Sequence, residues 1–293
     1  NIIYMSHSRR KFLSIAALTS GAMSLSGNLF AANSLTEEEY DVPSSIRDLK
    51  LMVDGIVPIS VEERKQRIAK AQDLMSKEKI DAIFLEGTAS SFYFTSMRWG
   101  QSERTFGVVI PASGSIAYVC PKFEEDRAME LINPVFGDEV RCWEEHESPY
   151  ALIAGIIKDR GVKHKRIGME ERVRFFIADG VKKAAPGFEI VDATPITAGC
   201  RMYKSKAEIA LMQKSSDITI EAYKAAFATL RPNMPQAEFS ANISAAFRKL
   251  GYSGGAMVIV GKYSAMPHGS IVPQTIREGD VVLADGGTSC EGY

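Results

Sequence analysis

The chain has 293 residues, with 35 Lys and Arg against 36 Asp and Glu, a formal balance of −1. Hydrophobic residues make up 45% and charged residues 24%, ordinary globular usage that excludes a disordered chain, a collagen-like chain and a polytopic membrane protein. The near-zero balance also argues against a nucleic-acid-binding domain, which carries a basic excess or stripe, and the length suggests two domains.

The first signal is at the N-terminus. Ser8-Arg9-Arg10-Lys11-Phe12-Leu13 reads as a twin-arginine export signal, and no charged residue follows until after Thr36. The run Phe12 to Leu25 is too short and too rich in Ser, Gly and Ala to span a bilayer. Residues 5–32 are therefore expected to be a signal peptide beginning at Met5 and cut near Phe30-Ala31-Ala32, with a periplasmic or extracellular mature protein. The plainer alternative is a disordered basic segment followed by an Ala/Ser linker.

Downstream, Glu62 to Ile80 has a helical pattern, with Ile68, Ala71 and Met75 on one side and charges on the other. Ala82-Ile83-Phe84-Leu85 reads as a buried strand. Gly107 to Pro111 and Ile116 to Cys120 flank Ala112-Ser-Gly-Ser115 as a hairpin. Lys122 to Ile132 reads as a short helix. Ser148-Pro149 opens another that runs to about Arg160, with Pro where no N–H is needed. Arg166 to Met169 and Phe188 to Asp192 are short strands around a helical stretch, Glu171 to Lys183. Residues 45–195 are thus expected to form a mixed α/β domain.

A capping box, Ser205-Lys-Ala-Glu208, then launches a long amphipathic helix that Pro232 ends. A second helix from about Pro235 to Leu250 stops at Gly251. Strands follow at Ala256 to Val260 and Val281 to Ala284. Two helices and then strands mark residues 196–293 as the opening of an α+β domain. The chain stops at Gly292-Tyr293 directly after a strand, and domains rarely end with an unpaired edge. The expectation is that a longer parent continues beyond Tyr293.

Cys120, Cys142, Cys200 and Cys290 form no CxxC pair, so neither a zinc knuckle nor a thioredoxin-like site is encoded. One or two disulfides are compatible with the count, although a core of this size does not need them. His7 lies in the signal, and His146 and His164 sit in charged, solvated stretches. His268 differs, because Met266-Pro267-His268-Gly269 forms a polar turn that would hold the ring rigidly; a plain loop histidine fits equally well. Asp285 closes the last apolar strand and precedes Gly286-Gly287. It reads either as an Asp-Gly hairpin turn or as a carboxylate offset by a cation.

Three segments together decide between these readings: Val260 to Gly269 with Pro267-His268-Gly269, Arg277 to Gly287 with Gly279-Asp280 and Asp285-Gly286-Gly287, and Glu291-Gly292-Tyr293. They resemble the Xaa-Pro peptidases of the M24 metallopeptidase family. Arg201-Met-Tyr-Lys-Ser-Lys-Ala-Glu-Ile209 and Leu211-Met212 are similar to that family's entry into its catalytic domain. The first half, with Tyr93-Phe-Thr-Ser-Met-Arg-Trp99, is similar to the creatinase/prolidase N-terminal domain. The resemblance covers roughly residues 45 to 293. It implies an α/β N-terminal domain followed by an incomplete α+β pita-bread catalytic domain.

In that family two divalent ions (Mn, Co or Zn) are held by two Asp, one His and two Glu. Asp285 matches the first Asp, and the remaining ligands would fall beyond Tyr293. His268 matches the substrate-side His that helps stabilise the tetrahedral intermediate. The implied substrate is a short proline-containing peptide, cut before proline by a homodimer, with no nucleic acid partner and no stable membrane insertion. Two other readings share the architecture: a creatinase-like, metal-independent hydrolase of amidino or amide compounds, and a pita-bread domain that only binds.

Overall fold

The computed structural model describes residues 42–293; the expected signal at 5–32 lies outside the described residues. After a one-turn helix α1 (Ser44–Arg47), helix α2 spans Val61–Glu78. Its start is fixed by Ser60, whose hydroxyl accepts the Glu63 N–H at 3.1 Å, and its end by Lys79 in the left-handed region at φ 55°.

The first unit continues through β1 (Ala82–Glu86), α3 (Ala89–Thr95), β2 (Gly107–Pro111), β3 (Ala117–Pro121), α4 (Glu125–Leu131), β4 (Glu139–Trp143), α5 (Pro149–Asp159), β5 (Arg166–Met169), α6 (Phe175–Ala184), β6 (Glu189–Asp192) and α7 (Thr194–Arg201). The six strands form one sheet in the order β4-β3-β2-β1-β5-β6. The expected hairpin is present: β2 and β3 pair antiparallel, with Val108 opposite Tyr118. β1 bridges the two halves, antiparallel to β2 and parallel to β5. Helices cover both faces, so every residue of β1, β2 and β3 is buried. Ile83 and Leu85 pack with α2 and α7 on one side, while Ala82 and Phe84 pack with α5 and α6 on the other.

Three elements escape the sequence periodicity. α3 is a seven-residue segment rich in Ser, Phe and Tyr, organised by the Thr88 N–H donating to Ser91 Oγ at 3.0 Å. β4 is a half-buried edge strand, and α7 follows β6 after a single residue. The buried face of α2 is not purely apolar, because Arg64 and Arg67 continue the stripe of Ile68, Ala71 and Met75 and are buried with it.

The second unit comprises α8 (Lys206–Phe227), α9 (Gln236–Leu250), β7 (Gly254–Val260) and β8 (Val282–Thr288). The capping box forms as read: Ser205 Oγ accepts the Glu208 N–H at 3.2 Å, and Glu208 Oε2 accepts the Ser205 N–H at 2.8 Å. Gly251 ends α9 at φ 98°. The core joins Leu211 and Ile218 of α8, Phe239 and Phe247 of α9, and Val258 and Val260 of β7. Residues 42–59, grouped with the first unit in the sequence from position 45 onward, pack on this second core instead. Ile46 and Ile59 are buried in it, the Met52 N–H donates to the Leu250 carbonyl at 3.0 Å, and the Tyr252 hydroxyl donates to the Met52 carbonyl at 3.1 Å.

A buried guanidinium joins the units. Arg67, 4% exposed, pairs with Glu63 at 2.6 Å and Glu208 at 3.5 Å. It donates to the Tyr93 carbonyl and the Tyr293 hydroxyl, both at 3.0 Å, and lies 4.0 Å over the Tyr93 ring. Arg64 donates to the Phe92 carbonyl at 2.7 Å and the Tyr93 carbonyl at 3.0 Å, so both arginines cap the C-terminal end of α3.

Asp81 sets the β1–β5 register. Its buried carboxylate accepts the Lys163 N–H at 2.8 Å, the Arg166 N–H at 3.0 Å and the His164 N–H at 3.1 Å. Burial pushes this carboxyl's pKa up, but the three backbone donors outweigh it and hold the pKa below the ordinary value. Asp81→Asn should therefore destabilise the protein by about 1–3 kcal/mol in urea unfolding at pH 7. In the wild type this contribution is fully present above the unfolded carboxylate's pKa. It should be lost as pH falls through the depressed folded value, which unfolding midpoints between about pH 5 and pH 2 would reveal.

Candidate functional site

The turn Arg277 to Asp280 feeds β8. Gly279 occupies it at φ 84°, and Asp280 Oδ2 accepts the Arg277 N–H at 2.9 Å. The Gly261 N–H bonds the Val281 carbonyl at 2.8 Å and brings β7's exit to β8's entry. The first Asp of the Gly-Asp element is thus used in shaping a turn.

Asp285 lies elsewhere than the sequence suggested. It is neither at the end of its strand nor in a hairpin turn, because β8 runs on to Thr288 and pairs in full with β7, Asp285 opposite Met257. Gly286 explains why a glycine follows it: a Cβ there would stand 2.6 Å from the Ala256 Cα and closer still to the Gly255 carbonyl oxygen. Neither Gly286 nor Gly287 has a positive φ. Close approach of the strands, not turn geometry, requires the glycine.

Val282 and Ala284 pack against the second core. Alternation along the strand therefore turns Asp285 to the opposite, exposed face, beside its cross-strand neighbour Met257. The Met266–Gly269 turn rests against the same neighbour: Met257 Sδ is 3.0 Å from where a Gly269 Cβ would sit, and the Gly269 N–H bonds the Met266 carbonyl at 3.0 Å. Gly269 of this turn thus lies beside Met257, the cross-strand partner of Asp285, and His268 next to it is exposed. Asp285 opens on a concavity of about 760 Å³ walled by Gln236, Ser240, Ser244 and Met257. Tyr223 of α8 has a buried hydroxyl with no hydrogen-bond partner; burial raises its pKa, and the Asp285 charge raises it further. The phenol accordingly stays a protonated donor.

Asp285 is a hard oxygen ligand of the kind a divalent ion prefers. Among the described residues, however, no three His, Cys, Asp or Glu side chains stand close enough together to hold an ion. Residues 42–293 therefore do not hold the expected pair of ions by themselves.

A second concavity, about 770 Å³, lies between the first unit and α8. Its cations are Arg98, Arg172, Arg201 and Lys204, with Trp99 and Tyr293 among its apolar walls. Behind it Glu170, 3% exposed, accepts the Thr88 hydroxyl at 2.8 Å, while its other oxygen is unpaired; burial pushes its pKa up. Sequence reading missed this grouping because its members come from four separate stretches.

The Creatinase/Prolidase N-terminal domain family matches residues 67–203, and metallopeptidase family M24 matches residues 210–293. The chain belongs to the M24 metallopeptidase family, with a creatinase/prolidase-type first domain and the pita-bread fold in the second. An uncharacterized peptidase of Schizosaccharomyces pombe is 30% identical over 266 residues, which are 86% of this chain and 57% of that protein. The crystal structure of dipeptidase PepE from Mycobacterium ulcerans superposes with a TM-score of 0.71 at 23% identity, covering 79% of this chain and 62% of that one. A prolidase from Thermococcus sibiricus gives 0.68 at 22% identity, over 78% and 63%. The chain thus spans about three fifths of each of these proteins.

Gly286→Ala should destabilise the second unit by about 2 kcal/mol or more, because backbone must move to admit the methyl group. A Gly287 Cβ would meet only the Thr219 side chain, with Oγ1 at 3.2 Å. Gly287→Ala should therefore be the milder change when urea midpoints of the two variants are compared.

Proposed function

We propose that the chain carries the N-terminal domain and the opening of the catalytic domain of a metal-dependent Xaa-Pro peptidase. As a dipeptidase or aminopeptidase, it would hydrolyse the bond before proline in short peptides. The observation carrying this reading is Asp285, a carboxylate held mid-strand on the exposed face of the β7–β8 ladder, with the His268 turn beside its cross-strand partner Met257. The M24 match and the dipeptidase and prolidase names of the structural neighbours support the reaction class.

In this reading divalent ions, manganese among them, supply the activated water. Asp285 is one of their ligands, and further donors come from outside residues 42–293. His268 faces the substrate and helps stabilise the oxyanion without holding metal. A single carboxylate cannot hold a pair of ions, so residues 1–293 should not turn over an Xaa-Pro dipeptide with added Mn²⁺, whereas the product of the whole reading frame that encodes them should. In that longer protein His268→Ala should lower kcat by about 10²-fold with metal content unchanged. Metal-dependent turnover by residues 1–293, or loss of metal in the His268 variant, would overturn these assignments.

We also propose that the protein is exported folded, through Arg9-Arg10. Changing both to Lys should retain it in the cytoplasm; unchanged export on cell fractionation would refute the signal.

A further inference from the structure

We propose that Cys120 and Cys142 form an oxidisable pair, and that the folded protein takes up a Cys120–Cys142 disulfide when it meets hydrogen peroxide. The peptidase reading uses neither residue. They are direct partners in the parallel β3–β4 ladder, Cys120 opposite Cys142. Their side chains therefore share a face, and both pack into the core that contains Ile116, Ala128 and Ile132. The Cys120 S–H donates to the Pro121 carbonyl at 3.2 Å, and the neighbouring Cys142 thiol helps to push its pKa up. Cys200, on α7, shares the first core but belongs to a helix rather than to the β3–β4 ladder, and Cys290, after β8, lies in the second core.

The backbone geometry suits a bridge. Neighbouring strands lie about 4.8 Å apart, inside the roughly 4.4–6.8 Å Cα separation that disulfides adopt. The Cβ atoms need to close to about 4 Å. β4 can make that movement, because it is the edge strand, hydrogen-bonded to the sheet on one side and half-buried along most of its length. A bridge would close the loop of residues 121–141 and attach this edge covalently.

The accessible sulfur is Cys142, since Cys120 is fully buried. The Glu125 carboxylate, which is paired with Lys122 and helps to push the Cys142 pKa up, offers a place for the thiol proton. The Cys142 sulfur attacks one peroxide oxygen, the O–O bond breaks, and Cys142 becomes a sulfenic acid while one water leaves. The Cys120 sulfur then attacks the Cys142 sulfur, the S–O bond breaks, and a second water carries off the remaining proton. Two thiols lose two electrons and one peroxide gains them, so two waters are the only by-product. Burial pushes the Cys142 thiol up to about 11 and the Cys120 thiol up to about 12. Entry is therefore slow at neutral pH, and the finished bridge resists reduction because its thiolates leave reluctantly.

The test is peptide mapping of the 293-residue protein after treatment with excess hydrogen peroxide, with free thiols alkylated under denaturing conditions. The expected result is a Cys120–Cys142 linked peptide pair about 2 Da lighter than the two thiol peptides together, reversed by dithiothreitol. Alkylation should fall from four thiols to two, and Tm should rise by about 5 °C. Cys120→Ser should stop the reaction at a Cys142 sulfenic acid that dimedone traps, whereas Cys142→Ser should leave Cys120 a thiol. Four alkylated thiols after oxidation, or a bridge through Cys200 or Cys290, would overturn the proposal.

Discussion

The arrangement of the two units depends on the buried guanidinium of Arg67. An arginine removed from water is costly unless its donors and charge are met. Here Glu63 and Glu208 supply the charge, while the Tyr93 carbonyl and the Tyr293 hydroxyl take further donors. Those partners come from α2, the first turn of α8, the end of α3 and the last residue of the chain. Glu208 serves twice, because its other oxygen caps α8 at Ser205, whose hydroxyl in turn donates to Glu63 at 2.8 Å. A helix start and an interdomain contact thus share one set of atoms. Removing any member leaves a buried charge or donor unmet.

Local chemistry made much of the fold legible. Ser205 and Glu208 announce a helix start because they satisfy each other's backbone donors, and Gly251 announces an end because it tolerates a positive φ. Ala82 to Leu85 reads as a buried strand because helices cover both faces of the sheet. What periodicity could not show is which charges go inside. Arg64 and Arg67 lie one turn before Ile68 and Ala71 on the same face of α2, and their burial depends on α3, a segment whose composition gives little helix signal. The docking of residues 42–59 is likewise long-range. It depends on Leu250 and Tyr252, some two hundred residues away.

The candidate site was legible as spacing and obscure as geometry. Pro267-His268-Gly269 and Asp285 carry the family signal, yet Asp-Gly is also a turn signal, and sequence offers no means of separating the two uses. The pairing of Asp285 with Met257 separates them: the glycine is needed because Gly255 and Ala256 press against it from the neighbouring strand. Tyr223 had no sequence signature, since an unpaired buried hydroxyl is defined only by what surrounds it.

The docking of residues 42–59 on the second core has a consequence for how the protein is made. This segment leaves the ribosome long before α8, α9 and β7, the elements that bury Ile46 and Ile59. Every strand and covering helix of the six-stranded sheet lies between them in sequence. The first unit therefore completes its layers while the preceding residues still lack a binding surface, and that early-made segment is among the last to reach its place. Synthesis runs from one end of the chain to the other, but assembly of the second core waits for both.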